Sequence, residues 1–167
     1  MSKQKPPRLK IAATLLCLLH ITQTAAADVV INSGANVVMT TSTVRNRGNW
    51  TVNAGGGFTT GTGTVVMNPA SGTKAITTSG TNFYNLTVNG AGGTAVNLPD
   101  SDLTVGGRLT VTSGTLNFDN DKNLTVSDGG ATGTAVSIGA AGTLANTGTG
   151  DLTLAGAVSN AGAVSFD

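Results

Sequence analysis

Cysteine, histidine and glutamate are nearly missing from this chain of 167 residues. It has one Cys (Cys17), one His (His20) and no Glu, and none of these residue types occurs beyond position 27. The rest of the chain therefore has no disulfides, no Ser-His or Cys-His catalytic arrangement, and neither of the usual zinc ligands Cys and His. Its stability has to come from packing and hydrogen bonds.

Charge is also scarce. Charged residues make up 10% of the chain, and beyond position 27 five basic residues stand against eight Asp, a net charge of −3. The basic residues are isolated from one another: Arg45, Arg47, Lys74, Arg108 and Lys122. Because no basic stripe is present to neutralise phosphates, we expect no binding to nucleic acid.

Glycine and apolar residues are plentiful instead. The 24 Gly and the hydrophobic content of 39% exclude a disordered polyelectrolyte. They favour β-structure with many turns.

The N-terminal segment, residues 1–27, has the three-part layout of a secretory signal peptide. Residues 1–10 are cationic, residues 11–22 are mostly apolar, and Ala25 and Ala27 occupy the small-x-small cleavage positions. We predict cleavage before Asp28, export through the secretory pathway, and a mature chain, residues 28–167, without a transmembrane segment. A membrane anchor is the alternative, but the apolar run is shorter than the ~20 residues that span a bilayer. Cys17 lies inside this run, which favours an ordinary apolar position over a lipidated cysteine.

Beyond this segment, apolar residues recur as pairs two positions apart, between clusters of Gly, Thr, Ser, Asn and Asp. This period predicts short strands joined by tight turns. The clearest pairs are Leu103-x-Val105, Leu109-x-Val111, Leu116-x-Phe118 and Leu124-x-Val126. The stretch from Leu103 to Leu124 has the length of one coil of three short strands with a turn at each corner.

A second copy supports this repeat. Residues 151–166 align with residues 102–118 when Gly114 is skipped. Leu152, Leu154, Val158, Val164 and Phe166 then match Leu103, Val105, Leu109, Leu116 and Phe118.

A tetrad of Asn/Asp, Leu/Trp, Thr and Val/Leu begins at Asn49, Asn85, Asp102, Asn123 and Asp151. Its spacing predicts coils of about 17–21 residues. The two longest intervals would contain an unmarked coil at Val65-x-Met67 and a loop at residues 143–150. We expect the apolar tetrad residues to point inward and the Thr outward. If the first positions stack, Asn123 separates two Asp residues, and side-chain amides bond along the ladder.

These patterns predict an all-β fold, a parallel β-helix with three short strands per coil, over residues 28–167. A leucine-rich repeat is excluded because its L-x-x-L-x-L-x-x-N spacing is missing. A β-sandwich of short strands stays open as the alternative.

Residues 83–118 (FYNLTVNGAGGTAVNLPDSDLTVGGRLTVTSGTLNF), together with GNWTV at residues 48–52, resemble the β-strand repeats of large bacterial surface and exported proteins. These include filamentous haemagglutinin-like adhesins and autotransporter passenger domains. The resemblance implies a right-handed parallel β-helix, export, and display outside the cell at the outer membrane or as a secreted protein. Its motifs specify architecture, so no binding residue is carried over. No two-partner secretion domain, C-terminal barrel strand or cell-wall sorting signal is recognisable.

Two Asp pairs are the most credible enzymatic signal, because paired carboxylates catalyse glycoside hydrolysis. Asp100 and Asp102 form one pair, and Asp119 and Asp121 the other, but both lie in turn-like runs where Asp caps the backbone. Asp119-x-Asp121-x-Asn123 also opens like a calcium loop. Leu124 and Gly130 stand where that loop needs Gly and Glu, so the EF-hand interpretation fails and a weak corner site for Ca²⁺ is the alternative that stays open. The run DGGATGT at residues 128–134 lacks the Lys of a phosphate loop and predicts a turn.

Three further features have a structural and a functional interpretation. Asn49, Asn85 and Asn123 each open an N-x-Thr sequon, but their recurrence follows from the repeat. Trp50 occupies a Leu position of the tetrad, which favours core packing over sugar stacking. The outward Thr at positions 51, 87, 104, 125 and 153 make an ice-binding ladder an alternative.

The sequence therefore predicts an exported, non-enzymatic β-solenoid, part of an adhesin-like or surface-structural protein that presents loops to extracellular glycans or proteins. We assign no catalytic, cofactor-binding or metal-binding residue. A carbohydrate-active enzyme using the Asp pairs and an ice-binding solenoid are the alternatives. Since Asp167 falls where the aligned repeat would enter its next corner, we expect an incomplete C-terminal end and end-to-end self-association of residues 28–167.

Overall fold

The computed structural model describes residues 28–99, 101–118, 121–128 and 133–166. The predicted signal peptide at residues 1–27 lies outside these ranges. So do Asp100, Asp119 and Gly130.

The described residues form a parallel β-solenoid of about six turns, with about 22 residues per turn. They contain sixteen strands and no helix, and every pairing between these strands is parallel. The predicted parallel β-helix is confirmed. The β-sandwich alternative is wrong, because sandwich sheets are antiparallel.

Three strand positions follow one another in each coil, and we call them the first, second and third faces. The first face contains β1 (Val29–Ile31), β4 (Trp50–Val52), β7 (Thr73–Thr77), β9 (Ala95–Leu98), the second half of β11 (Leu109–Phe118), the second half of β13 (Thr134–Asn146) and β16 (Ala163–Phe166). The second face contains β2 (Asn36–Val38), β5 (Gly57–Thr59), β10 (Leu103–Val105), β12 (Leu124–Ser127) and β14 (Leu152–Ala155). The third face contains β3 (Thr43–Asn46), β6 (Thr64–Met67), β8 (Asn85–Asn89), the first halves of β11 and β13, and β15 (Ala157–Asn160).

The third face shows how the coils stack. Its pairing runs without interruption from β3 to β15. One inward column carries a single apolar residue from each coil: Val44, Val65, Leu86, Leu109, Val136 and Val158. Because strands of a sheet lie about 4.8 Å apart, these side chains pack directly on one another and form the core.

The alternation predicted for the tetrads is confirmed. Leu103, Val105, Leu124 and Val126 are buried, whereas the Thr between each pair is partly exposed. A strand places successive side chains on opposite sides, so the apolar partners of each Thr face the core.

The coil from Leu103 to Leu124 is also confirmed, since these two residues pair on the second face. The lower limit of the predicted coil length is wrong for a full coil. This limit came from the sequence interval between Asn85 and Asp102. Asn85 begins the third-face strand β8, whereas Asp102 precedes the second-face strand β10. Tetrads therefore mark strand starts on different faces.

The alignment of residues 151–166 with residues 102–118 is confirmed through the shared partner coil. Leu124 pairs with both Leu103 and Leu152, and Leu144 pairs with both Leu116 and Val164. The position of the skipped residue is corrected. Gly114 pairs with Gly142, and the register shift falls between Val111 and Ser113.

The strands and loops within the two longest tetrad intervals differ from those predicted. Val65 and Met67 are buried in a strand, as expected, but this strand belongs to the same coil as Trp50 and not to an unmarked extra coil. The predicted loop at residues 143–150 is shorter, because Thr143 to Asn146 still belong to β13.

In the last described coil, the inward side chains are exposed to solvent. Val158 is 49%, Val164 42% and Phe166 53% exposed, although they occupy the columns of fully buried residues in earlier coils. The predicted self-association through this end stays a prediction.

Candidate functional site

The corner before the second face shows what the Asp and Asn residues of the tetrads do. The backbone N–H of Asn123 donates to Oδ1 of Asp102 at 2.8 Å. In the next coil, the N–H of Asp151 donates to Oδ1 of Asn123 at 2.8 Å. Asn123 therefore separates the two Asp residues, as predicted. The bonds run from backbone to side chain and not from amide to amide.

The same bond occurs at the other corners. Oδ1 of Asp28 accepts from the N–H of Asn49 at 2.7 Å, and Oδ1 of Asn49 accepts from the N–H of Ala75 at 2.9 Å. On the third face, Oδ1 of Asn85 accepts from the N–H of Arg108 at 2.9 Å. Each of these side chains satisfies a backbone donor of the following coil, which stabilises the stack at its corners.

Asp121 has a comparable structural role. Its carboxylate accepts hydrogen bonds from the hydroxyl and, at 3.3 Å, the backbone N–H of Thr149. These bonds lower the pKa of Asp121, since they favour the charged form. Because a general acid needs a raised pKa, this lowered pKa does not favour Asp121 as the acid of a carboxylate pair. Asp100 and Asp119, the predicted partners in the two Asp pairs, lie outside the described residues.

The sequon asparagines also use their side chains within the fold. Besides the Oδ1 bonds given above, Nδ2 of Asn85 donates to the carbonyl of Thr62 at 3.4 Å. Glycosylation at Asn85 would attach the sugar to this same Nδ2.

Trp50 lies in the core, as predicted. It is 1% exposed and packs edge-on against Phe58 and Phe83, with ring centroids 4.8 and 5.5 Å away. Its Nε1 is buried without a hydrogen-bond partner among the described residues. The ring is therefore inaccessible for stacking on a sugar.

The outward threonines divide among the three faces. Thr104, Thr125 and Thr153 stack in one row on the second face. Thr51 pairs with Thr77 on the first face, and Thr87 lies between Val66 and Thr110 on the third. The ice-binding alternative thus depends on a row of three Thr, one per strand.

A groove crosses the third face at its corner with the second face, and sequence reasoning did not predict it. It has a volume of about 340 Å³, within the range of roughly 300–1,000 Å³ that is typical of small-molecule sites. Its polar lining consists of Tyr84, Asn85, Arg108, Asp128 and the threonines at positions 64, 87, 110 and 134. We call it the Tyr84 groove.

Glycines shape this groove. The N–H of Gly107 donates to the carbonyl of Tyr84, one coil earlier, at 2.7 Å, and this bond places Gly107 directly beside the Tyr84 ring. A Cβ on Gly107 would come within 2.9 Å of Cε1 of Tyr84 and 2.7 Å of Oδ1 of Asn85. The Tyr84 ring can lie along the corner because position 107 has no side chain.

Two hydrogen bonds hold Arg108 at the groove, one through its backbone and one through its guanidinium. The backbone of Arg108 is held by Asn85, and its Nε donates to the carbonyl of Thr134 at 2.9 Å. Arg108 therefore bridges three successive coils. The signals available in the sequence were the only Tyr of the chain, next to a tetrad, and the run Gly106-Gly107-Arg108 one coil later.

Within the described ranges, no group of three or more His, Cys, Asp or Glu could hold a metal ion. The same residues contain no helix that is long and apolar enough to cross a membrane. No protein-family model, curated protein or solved structure matches the chain. The resemblance to bacterial surface proteins thus depends on residues 48–52 and 83–118 alone.

Proposed function

We propose that this protein is an exported, non-enzymatic β-solenoid that acts as part of an adhesin-like or surface-structural protein. In this role the stacked coils form a stiff support, and the corners present side chains and loops to extracellular partners. Residues 1–27 direct export and are removed before Asp28.

The observation that carries the proposal is the use of the Asp and Asn side chains at the corners. Asp28, Asn49, Asn85, Asp102 and Asn123 each bond to the backbone of the following coil. The carboxylates of Asp28 and Asp102, the residue type that serves glycosidases as acid and base, thus bond to the backbone of a neighbouring coil. This use favours a supporting role over a catalytic one.

The core supports the same interpretation. Apolar residues from each coil form one continuous cluster from Ile31 to Leu144. Such a solenoid is stabilised by contacts between neighbouring coils and does not need disulfides. That property suits a protein displayed outside the cell whose mature chain has no Cys.

Surface display can be tested by cysteine labelling in the native host. Ser71 is exposed in the bend between β6 and β7, whereas Ala135 is 2% exposed in the core. We expect a membrane-impermeant maleimide to label S71C on intact cells and to label A135C only after denaturation. The unmodified chain, whose only Cys is Cys17, is the blank. Labelling of S71C that requires cell lysis would contradict surface display.

Two further measurements test the remaining parts. Mass spectrometry of the exported protein should give the mass of a chain that begins at Asp28; a mass that retains residues 1–27 would contradict cleavage. The non-enzymatic assignment predicts no polysaccharide cleavage. Cleavage that is abolished by Asp→Asn changes at Asp100, Asp102, Asp119 or Asp121 would establish the enzyme alternative instead.

A further inference from the structure

We propose that the Tyr84 groove binds a neutral saccharide. The proposal rests on the proposed function in one respect, because an exposed sugar site is useful to a protein that contacts extracellular partners. Its argument, however, comes from the chemistry of the groove itself.

The lining combines one aromatic ring with many hydroxyl and amide groups. Tyr84 supplies the ring, while Thr64, Thr87, Thr110 and Thr134 line the same groove. A pyranose has an apolar face of C–H groups and a rim of hydroxyls. An aromatic side chain can cover that face, and hydroxyl and amide groups both donate to and accept from the rim.

The charges in the groove favour a neutral ligand. Among the described residues, Arg108 and Asp128 are the only charged members of the lining, so their formal charges cancel. A guanidinium has several N–H donors in one plane, and a carboxylate has two acceptor oxygens. A sugar hydroxyl can accept from a guanidinium N–H and donate to a carboxylate oxygen, so both groups are compatible with a neutral, hydroxyl-rich ligand. A phosphate or sulfate would gain from the guanidinium but would be repelled by the carboxylate.

The groove is also preorganised, which lowers the entropic cost of binding. Asn85 and Thr134 each make one bond to Arg108, through its backbone N–H and its Nε respectively. Gly107 leaves space for the Tyr84 ring, since a Cβ there would overlap it. The lining residues come from neighbouring coils whose strands pair through backbone hydrogen bonds.

The experiment is a saccharide-binding titration followed by NMR with the purified, exported chain. The probes are glucose, galactose, mannose and N-acetylglucosamine as neutral sugars, and glucuronic acid and inorganic phosphate as anions. We expect at least one neutral sugar to bind, and Y84A to weaken it about tenfold. T87V, which removes one hydroxyl and keeps the side-chain shape, should weaken it about three- to tenfold.

Two control substitutions outside the groove distinguish a loss of binding at the groove from a general effect of substitution on the protein. Thr104 is the central Thr of an L-T-V run like Thr87 but lies on the second face, and Arg45 is an exposed Arg on the third face outside the groove. T104V and R45A should leave the affinity unchanged, and Y84F should lose less than Y84A.

Three outcomes would overturn the proposal: no binding of any neutral sugar at millimolar concentration, binding that Y84A and T87V leave unchanged, or stronger binding of phosphate or glucuronic acid. None of them would affect surface labelling of S71C. Failure of the saccharide site is therefore distinguishable from failure of surface display.

Discussion

The first and second halves of the solenoid fill the same cross-section with different side chains. In coils two and three the core contains Trp50, Phe58 and Phe83, whose rings meet edge-on at 4.8 to 5.8 Å. In coils four to six, leucine packs on leucine on the second face instead. Leu103, Leu124 and Leu152 form one such column on the second face.

The difference teaches why one half shows its repeat in the sequence and the other does not. Stacking identical residues keeps both the local pattern and the residue type, so residues 102–118 and 151–166 can be aligned by eye. An aromatic cluster can fill a comparable volume with unlike residues, as the pairing of Trp50 with Ile76 shows. The geometry is then retained while the sequence repeat is lost.

The largest expected effect comes from removing the centre of the aromatic cluster. W50A should lower the free energy of unfolding by about 3–5 kcal/mol, because it leaves a cavity against Phe58 and Phe83. W50F is the control and should cost less, since it keeps a ring and removes the unpaired buried Nε1. Urea denaturation measures both; a loss below about 1 kcal/mol for W50A would mean that the cluster does not stabilise this half.

In the second-face leucine column, truncating a more deeply buried leucine should lower the free energy of unfolding by a larger amount. L124A should cost about 2–5 kcal/mol, because Leu124 is fully buried between two coils. L152A should cost less, since Leu152 is partly exposed in the last described coil. The same urea titrations apply. Equal losses for the two variants would show that Leu152 is as well covered in solution as Leu124.

A smaller effect is expected at the corner of the second half. N123A removes the acceptor for the N–H of Asp151 and should cost about 0.5–1.5 kcal/mol in thermal or urea unfolding. N123D keeps an acceptor but places a third carboxylate between Asp102 and Asp151, so its cost should shrink as salt screens the repulsion. A cost for N123D that is independent of salt would contradict the charge explanation.

The smallest expected effect is a pKa shift at an exposed site. Thr149 lowers the pKa of Asp121 below the ordinary value of 3.8. The bond therefore stabilises the fold above that value, and the contribution is lost as the pH falls through the folded-state pKa. T149V should raise the pKa of Asp121 towards 3.8, measured by NMR titration of the carboxyl carbon. T147V, a neighbouring Thr that bonds to Asn117, should leave it unchanged.

Sequence reasoning predicted buried strand residues correctly where their orientation follows from the residues next to them in the chain. The inward positions of Leu103, Val105, Leu124 and Val126 follow from alternation over three residues. Stacking of Asn49, Asn85 and Asp102 in one column does not occur, because each lies at a corner or strand start of a different face. A tetrad specifies an Asn or Asp at a corner followed by a strand, and this combination occurs at the corners of all three faces.

The Tyr84 groove could not be found in this way. Tyr84 and Arg108 belong to successive coils, and the groove exists only because the chain between them closes one coil and places Gly107 beside Tyr84. The two signals in the sequence, the only Tyr beside a tetrad and the run Gly106-Gly107-Arg108, lie one coil apart, and neither by itself specifies a groove.

The sequence by itself determined a parallel stack of short strands with a continuous apolar core, since alternation and turn residues act over a few positions. Only the tertiary structure decided the length of each coil, the face of each tetrad and the groove around Tyr84. The physical reason is that coil closure depends on how corners pack across about 22 residues. Backbone hydrogen bonds between coils set the register of each coil on its neighbour, and the sequence of a single coil does not specify that register.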